Sequence, residues 1–510
     1  LICFFLSEIL FLIMPDSYIL AIDQGTSSTK TVLFDQRGEV VARGVEPLRT
    51  MYLADGFVEQ DANDIYQNVL SSVEKCLADF GSSGKSLEDI VSCGISNQRE
   101  TFVVWDEDGK PLHSAIVWQC KRSTAICDRL ASRGLSERIK HNTGLLIDPY
   151  FSGTKMIWLY ENDEKVRKAV DHGSASFGTV DTWLLYKLTG CASYLTDHTN
   201  ASRTLFFNIN TLAWDPTLLD DFGLSNLRLP QVQASSSFFG ESDFEGKLPK
   251  KLPITAMIGD SHAAAFGEGC FSAGIAKATM GTGSSILMNI GSTPRRSGNG
   301  MVTTIGYSTE LHVEYAMEGV IVTCGATMEW LKKMGFFQHV SHTQQLAETV
   351  PDNGGVYLVP AFSGLGAPHW DMKRKASVVG ISFETEVAHL VRAGLESIPY
   401  QIKDVIMAME SDTGIVLKEL MIDGGLTSNK FVVQLLADLL EKPVVNLGLA
   451  ELSALGAAYL SGLKSGVYKD IEHLKTLAFH RQETRPAART PDAASDYKGW
   501  QLAVSNGKSR

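Results

Sequence analysis

Asp23 closes an apolar run, residues 18–22, and is followed by Gln24-Gly25-Thr26-Ser27-Ser28-Thr29-Lys30. A second apolar run, residues 31–34, then begins. This pattern predicts a strand, a tight turn and a strand. Gly25 allows the backbone to approach a ligand closely. The hydroxyls of Thr26, Ser27, Ser28 and Thr29 add to the N–H groups of the turn, and such a concavity suits phosphate oxygens. Asp23 can hold Mg²⁺ through the ion's waters, as a hard cation prefers, and Lys30 can offset phosphate charge. No Gly-Lys-Thr follows and no helix begins here, so this is not a Walker loop. Taken alone, the stretch reads equally well as an ordinary hairpin with a polar tip.

The elements that would position such a turn recur. Residues 39–43 give a third strand, residues 61–80 a helix with Ile65, Val69, Val73 and Leu77 on one face, and residues 90–96 an apolar strand ending in Asn97-Gln98-Arg99-Glu100. Residues 103–105 and 116–118 continue the sheet. A strand over 254–258 stops at Gly259-Asp260, and a helix follows over 261–268. The opening scheme then returns: a strand at 275–280, the turn Gly281-Thr282-Gly283-Ser284-Ser285, and a strand at 286–290. Helices are predicted over 322–334, 387–409, 429–440 and 454–461, and strands over 356–360 and 420–422, the last ending in Asp423-Gly424-Gly425. Residues 481–494, rich in Arg, Pro, Ala and Thr, read as loop. Two similar halves, each opened by a hydroxyl-rich hairpin, imply an internal duplication and an α/β fold.

At 510 residues the chain exceeds one ordinary core. Its 46 basic and 58 acidic residues give a net charge of −12, which argues against a general nucleic-acid or anionic-membrane binder. The eight cysteines are scattered, with no Cys-x-x-Cys, and read as reduced thiols of a cytosolic protein. Residues 1–13 are almost wholly apolar, too few to span a bilayer, and precede the first Met, Met14. They read as upstream or disordered extension, with domains over 14–269 and 270–510 after them.

Eight blocks in order resemble glycerol kinase, of the FGGY carbohydrate kinase family. Among them are Asp-Gln-Gly-Thr-Ser-Ser (23–28), Asn-Gln-Arg-Glu-Thr (97–101), Ala-Ile-Val-Trp-Gln-Cys (115–120), Phe-Gly-Thr-Val-Asp-Thr-Trp-Leu (177–184) and Thr-Asn-Ala-Ser-Arg-Thr (199–204). Tyr150-x-Ser152-x-x-Lys155-Met156-x-Trp158 is similar to the first family signature. The resemblance implies two actin-like (ribonuclease H-like) ATPase domains flanking a deep cleft, the polyol held mostly by the first and ATP by the second. It implies ATP-dependent phosphorylation of a terminal hydroxyl of a small polyol, glycerol first. It further implies a cytoplasmic homodimer or homotetramer with no stable membrane insertion.

By the same resemblance Asp260 is the base that takes the proton of the attacking hydroxyl. Arg99, Glu100, Trp118, Tyr150 and Ser261 bind the polyol with it. Thr26, Ser27, Ser28, Lys30 and Thr282 face the ATP phosphates, Gly325, Glu329, Gly425 and Asn429 the nucleoside, and Asp23 holds Mg²⁺. Arg203 matches a family block without an assigned role. Bare Arg99-Glu100 would otherwise read as a structural pair, and Trp118 as core. Ser261 and Ser285 stand where glycerol kinases carry Gln and Phe, which admits a longer polyol or sugar such as erythritol, threitol or xylulose. An actin-like ATPase without polyol substrate is the remaining alternative.

Overall fold

The computed structural model describes residues 17–477, 481–487 and 491–506, so the extension read at 1–13 lies outside the described residues. The chain forms two compact units. The first holds the chain up to Gly269 together with Thr304–Glu314 and Glu451–Ala478; the second holds Cys270–Thr303, Tyr315–Ala450 and the remaining C-terminal residues. Among the described residues no helix is long and apolar enough to cross a membrane.

The first unit is built on a six-stranded mixed sheet. Strand Tyr18–Gln24 lies at its centre, almost fully buried, as its unbroken apolar run requires. It pairs antiparallel with Ser28–Phe34, which pairs antiparallel with Val40–Pro47. On its other side it runs parallel to Ile90–Asn97, which runs parallel to Leu252–Gly259. Counted in chain order, these five strands lie 3-2-1-4-5, the ribonuclease H-like arrangement, with Ser236–Ser242 added at the edge. Helix Ala62–Ser82 is capped by the Asp61 carboxylate, which accepts the N–H groups of Asn63 and Asp64, and buries Ile65, Val69, Val73 and Leu77.

Residues 102–105 and 115–116 do not continue this sheet. They join a separate five-stranded sheet with Met51–Tyr52, Val58–Gln60 and Ser176–Thr179. The chain leaves the first sheet after Asn97 through Glu100, whose φ is +62°, and strand hydrogen bonding cannot continue through that conformation.

Helix Leu452–Ser465 belongs to the first unit, although it comes late in the chain. Its small residues let it lie directly on the sheet and on helix Asp260–Gly267. A Cβ at Gly94 would fall 2.3 Å from the Ala457 carbonyl oxygen, and one at Gly456 would fall 1.9 Å from that of Ala263.

The second unit repeats the scheme. Ile275–Met280 pairs antiparallel with Ser284–Gly291, which pairs antiparallel with Val313–Ile321; on the other side lie Glu419–Asp423 and Val444–Asn446, both parallel. Two differences from the sequence reading stand out. The helix expected from 322 begins at Ala326, because residues up to Ile321 are drawn into the sheet. The tail read as loop contains strand Gln482–Thr484 and helix Pro491–Ser505. Tyr497, Trp500 and Val504, at helical spacing beyond the stretch read as loop, join Tyr400 in one buried cluster.

Two outcomes follow for stability. Gly456→Ala, which forces a methyl group into a carbonyl, should lower stability by about 2 kcal/mol or more in chemical denaturation; an unchanged midpoint would contradict the close helix contact. Asp181 is buried, with Thr179 and Thr196 donating to it at 2.5 and 2.7 Å. Burial first, and the Asp197 carboxylate second, push its pKa from 3.8 to about 7. Between those values the native state binds a proton that the unfolded chain does not, so this group's contribution falls as pH rises towards 7. Asp181→Asn should therefore gain stability relative to the parent on going from pH 5 to pH 8, read as the difference in melting midpoints.

Candidate active site

In the first unit three parallel strands end side by side. Gln24 pairs with Asn97, and Gly259 pairs with the same residue from the other side. Ligand crevices in open α/β sheets lie beyond such carboxyl ends. The residues that follow the three ends are the hairpin turn, Gln98-Arg99-Glu100 and Asp260.

Asp260 is the first residue of helix Asp260–Gly267, where the N-terminal partial charge favours a carboxylate. Its Oδ1 accepts the Ser261 N–H at 2.6 Å and lies 3.3 Å from Arg99 Nε. The Asp260 side chain is 37% exposed and that of Arg99 only 4%, so the carboxylate is open while its guanidinium clamp is enclosed. Gly259 makes this possible, since a Cβ there would sit 2.7 Å from Arg99 Cγ.

Arg99 also donates to the Tyr150 hydroxyl at 3.5 Å. The Tyr150 ring meets that of Trp118 edge to face, centroids 5.6 Å apart. Glu100 is buried against Arg203, Oε1 to Nε 2.5 Å. The proposed polyol residues Arg99, Trp118, Tyr150 and Asp260 are thus linked in one array, and Glu100 is the next residue along the chain. Ser261 is half-buried at the helix start. His262 is buried, its Nε2 3.4 Å from Thr304 Oγ1.

The hairpin turn closes with the Gly25 N–H donating to the Ser28 carbonyl at 3.0 Å. The Thr26 hydroxyl is committed within the fold: it donates to Gln98 at 3.3 Å and accepts the Trp118 indole N–H at 2.9 Å. Ser27 is exposed, Ser28 half-buried. Asp23 accepts a hydrogen bond from Ser96 at 3.1 Å. Burial, then the Asp260 carboxylate, push its pKa up to about 7, with Lys30 opposing. Lys30 is paired with Glu451 at 3.0 Å.

The second unit places its hairpin turn against a helix start. The carbonyls of Gly281 and Thr282 accept the N–H groups of Gly325 and Ala326 at 2.8 and 3.1 Å. A Cβ at Gly325 would lie 2.7 Å from the Gly281 carbonyl oxygen, and one at Gly424, φ +95°, would lie 2.6 Å from that of Met280. A Cβ at Gly425 would meet nothing within 4 Å, so its face is open. Asn429 caps helix Lys430–Leu440 through the Val432 N–H and donates to Thr343 at 3.3 Å. Glu329 is exposed, 4.0 Å from Lys332.

Several residues in these settings were not singled out from the sequence. Glu451 and Ser453, the latter donating to the Asp260 carbonyl at 3.2 Å, arrive on a helix distant in sequence, and no local signal marks them. Arg203 was visible in its block but not its pairing. Buried Lys277 donates to Thr279 at 2.5 Å, which donates to Asp423 at 2.8 Å; a charged residue inside an apolar strand was the available clue.

The N-terminal domain of the FGGY family of carbohydrate kinases matches residues 18–267, and the C-terminal domain of that family matches residues 276–464. A glycerol kinase of Carboxydothermus hydrogenoformans is 42% identical over 97% of this chain and 99% of its own length. One of Symbiobacterium thermophilum is 44% identical with the same coverage. The crystal structure of Plasmodium falciparum glycerol kinase with ADP superposes with a TM-score of 0.92 at 32% identity, over 97% of this chain and 99% of that one. With both domain types matched in order and relatives this similar along almost its whole length, the chain belongs to the FGGY family of carbohydrate kinases.

Proposed function

We propose that this chain transfers the terminal phosphoryl group of ATP to a terminal hydroxyl of glycerol, giving glycerol 3-phosphate and ADP. The observation that carries the reading is the open Asp260 carboxylate clamped by Arg99 at 3.3 Å, beside Tyr150, at the carboxyl ends of the parallel strands. The glycerol kinases that resemble the chain over nearly its full length support the acceptor.

Phosphoryl transfer asks for positioning and charge neutralisation more than covalent help. Asp260 takes the proton of the acceptor hydroxyl as its oxygen attacks the terminal phosphorus. A new O–P bond forms, the bridging P–O bond breaks, and its electron pair leaves on ADP. Arg99 and the Ser261 amide fix the carboxylate's orientation. Arg99, Glu100 and Tyr150 offer partners to the remaining hydroxyls, Trp118 an apolar wall to the carbons, and Ser261 a further hydroxyl. In the first unit the turn of Thr26, Ser27 and Ser28, with Lys30, is suited to phosphate; in the second unit Thr282 is. Since the Thr26 hydroxyl is spent on Gln98 and Trp118, that residue would serve through its N–H. Gly325, Gly425 and Asn429 line the nucleoside, with Glu329 at their edge.

Magnesium would be held by Asp23. Burial first, then the Asp260 carboxylate and to a smaller extent that of Glu451, raise its pKa, and a cation at this point would offset all three; the nearby Lys30 is shared with Glu451. An ion held by this one carboxylate would take its other oxygen ligands from water and phosphates. When bound, the ion would neutralise charge developing on the transferred phosphate. We further propose a cytoplasmic homodimer or homotetramer. The seven described cysteines are thiols rather than disulfides, in keeping with a reducing compartment; the assembly rests on family resemblance alone.

The longer-polyol reading draws less support, because the Ser285 hydroxyl already donates to Glu318 at 3.2 Å. With purified enzyme and ATP, glycerol should exceed erythritol, threitol and xylulose in kcat/KM by about tenfold or more. A higher value for any of the three would replace glycerol as the acceptor. Asp260→Asn should lower kcat for glycerol at least about a hundredfold with both Michaelis constants within about threefold of the parent; an unchanged kcat would remove Asp260 as the base.

A further inference from the structure

Arg203 has no role in the reaction as described so far, yet it touches two residues of the acceptor array. It follows helix His198–Ala201, anchored by its own N–H to the Asn200 carbonyl at 3.0 Å. Its Nε donates to Glu100 Oε1 at 2.5 Å, and the side chains of both residues are only 1% exposed. Its guanidinium carbon lies 5.8 Å from the Tyr150 ring centroid and 5.1 Å from that of Phe151. Such distances place the cation within reach of both ring quadrupoles.

The backbone that presents Glu100 is itself constrained. At φ +62° a glutamate is in the left-handed region, which β-carbon residues seldom occupy. The Glu100 carbonyl accepts the Ser152 hydroxyl at 2.8 Å, which ties this point to the helix that begins after Phe151. A residue held in an unfavourable conformation needs surroundings that over-determine it. Arg203 supplies that from the side-chain end, through the 2.5 Å contact of its Nε with the buried carboxylate.

We propose that Arg203 is the positioning residue of the acceptor site: it acts by aiming the Glu100 carboxylate, so that polyol affinity depends on it while nucleotide affinity does not. The inference rests on Glu100 facing the acceptor. A lysine at 203 keeps the charge but loses the planar donor fork that engages a carboxylate and rings together.

The test compares Arg203→Lys, Glu100→Gln and the double variant, with Michaelis constants for glycerol and ATP and melting midpoints for each. Arg203→Lys should raise the glycerol KM at least about tenfold, leave the ATP KM within about twofold, and add nothing to the effect of Glu100→Gln in the double variant. A glycerol KM unchanged in Arg203→Lys but raised in Glu100→Gln would overturn this inference alone. So would a rise of both Michaelis constants together, or multiplying effects in the double variant. A glycerol KM unchanged in Glu100→Gln would overturn the acceptor-site reading, and this inference with it. Should Arg203→Lys fail to fold, Arg203→Met/Glu100→Gln, which leaves no lone buried charge, is read instead: matching Glu100→Gln supports the inference, and a further rise in glycerol KM overturns it.

Discussion

The site in the first unit depends on one constraint of β-sheet geometry, the alignment of the carboxyl ends of three parallel strands. Gln24, Asn97 and Gly259 are neighbours across the sheet, so Asp23, Arg99 and Asp260 meet although they are far apart in sequence. Register is strongly specified by packing, because a slip of one residue would carry every side chain of a strand to the opposite face of the sheet. The array of Asp260, Arg99, Tyr150 and Trp118 inherits its precision from that register. It also carries its own electrostatic cost: Asp23 and Asp260 are close enough for one to raise the pKa of the other.

The two units are duplicates in topology and differ in chemistry at equivalent points. Asp23 stands two residues before Gly25, and Thr279 stands two residues before Gly281. Across the parallel pairing the exchange is reciprocal: Asp23 faces Ser96, whereas Thr279 faces Asp423. In the second unit the carboxylate has thus moved to the neighbouring strand end, and buried Lys277 lies 3.8 Å from it. One unit leaves its carboxylate short of positive charge; the other balances it internally. That difference fits the proposed division of labour, with the general base and the magnesium ligand in the first unit and the nucleoside residues in the second.

Much of this was legible beforehand because the signals were local. The hairpin turns announce themselves by Gly and hydroxyls between apolar runs, and Asp260 by its place between a strand and a helix. What was not legible arises from tertiary packing. Helix Leu452–Ser465 could be read as rich in small residues, but not that Gly456 allows it to cross Ala263 and so bring Glu451 to Lys30. The outward turn at Glu100 depends on a left-handed φ at a residue type that gives no warning of it. The loop reading of residues 481–494 stopped short of Tyr497 and Trp500, whose helical spacing carries the apolar face of the last helix. Thr26 shows a subtler failure: its hydroxyl is of the right type for phosphate, yet Gln98 and Trp118 claim it first.

The central claim is that the acceptor hydroxyl is delivered to the Asp260 carboxylate that Arg99 holds in place. A crystal structure of the protein with glycerol and ADP tests it most directly. The account predicts a terminal glycerol oxygen within about 2.6–3.2 Å of an Asp260 carboxylate oxygen, with the other hydroxyls on Arg99, Glu100 or Tyr150. Glycerol bound away from Asp260, or Arg99 turned from that carboxylate in the complex, would contradict it.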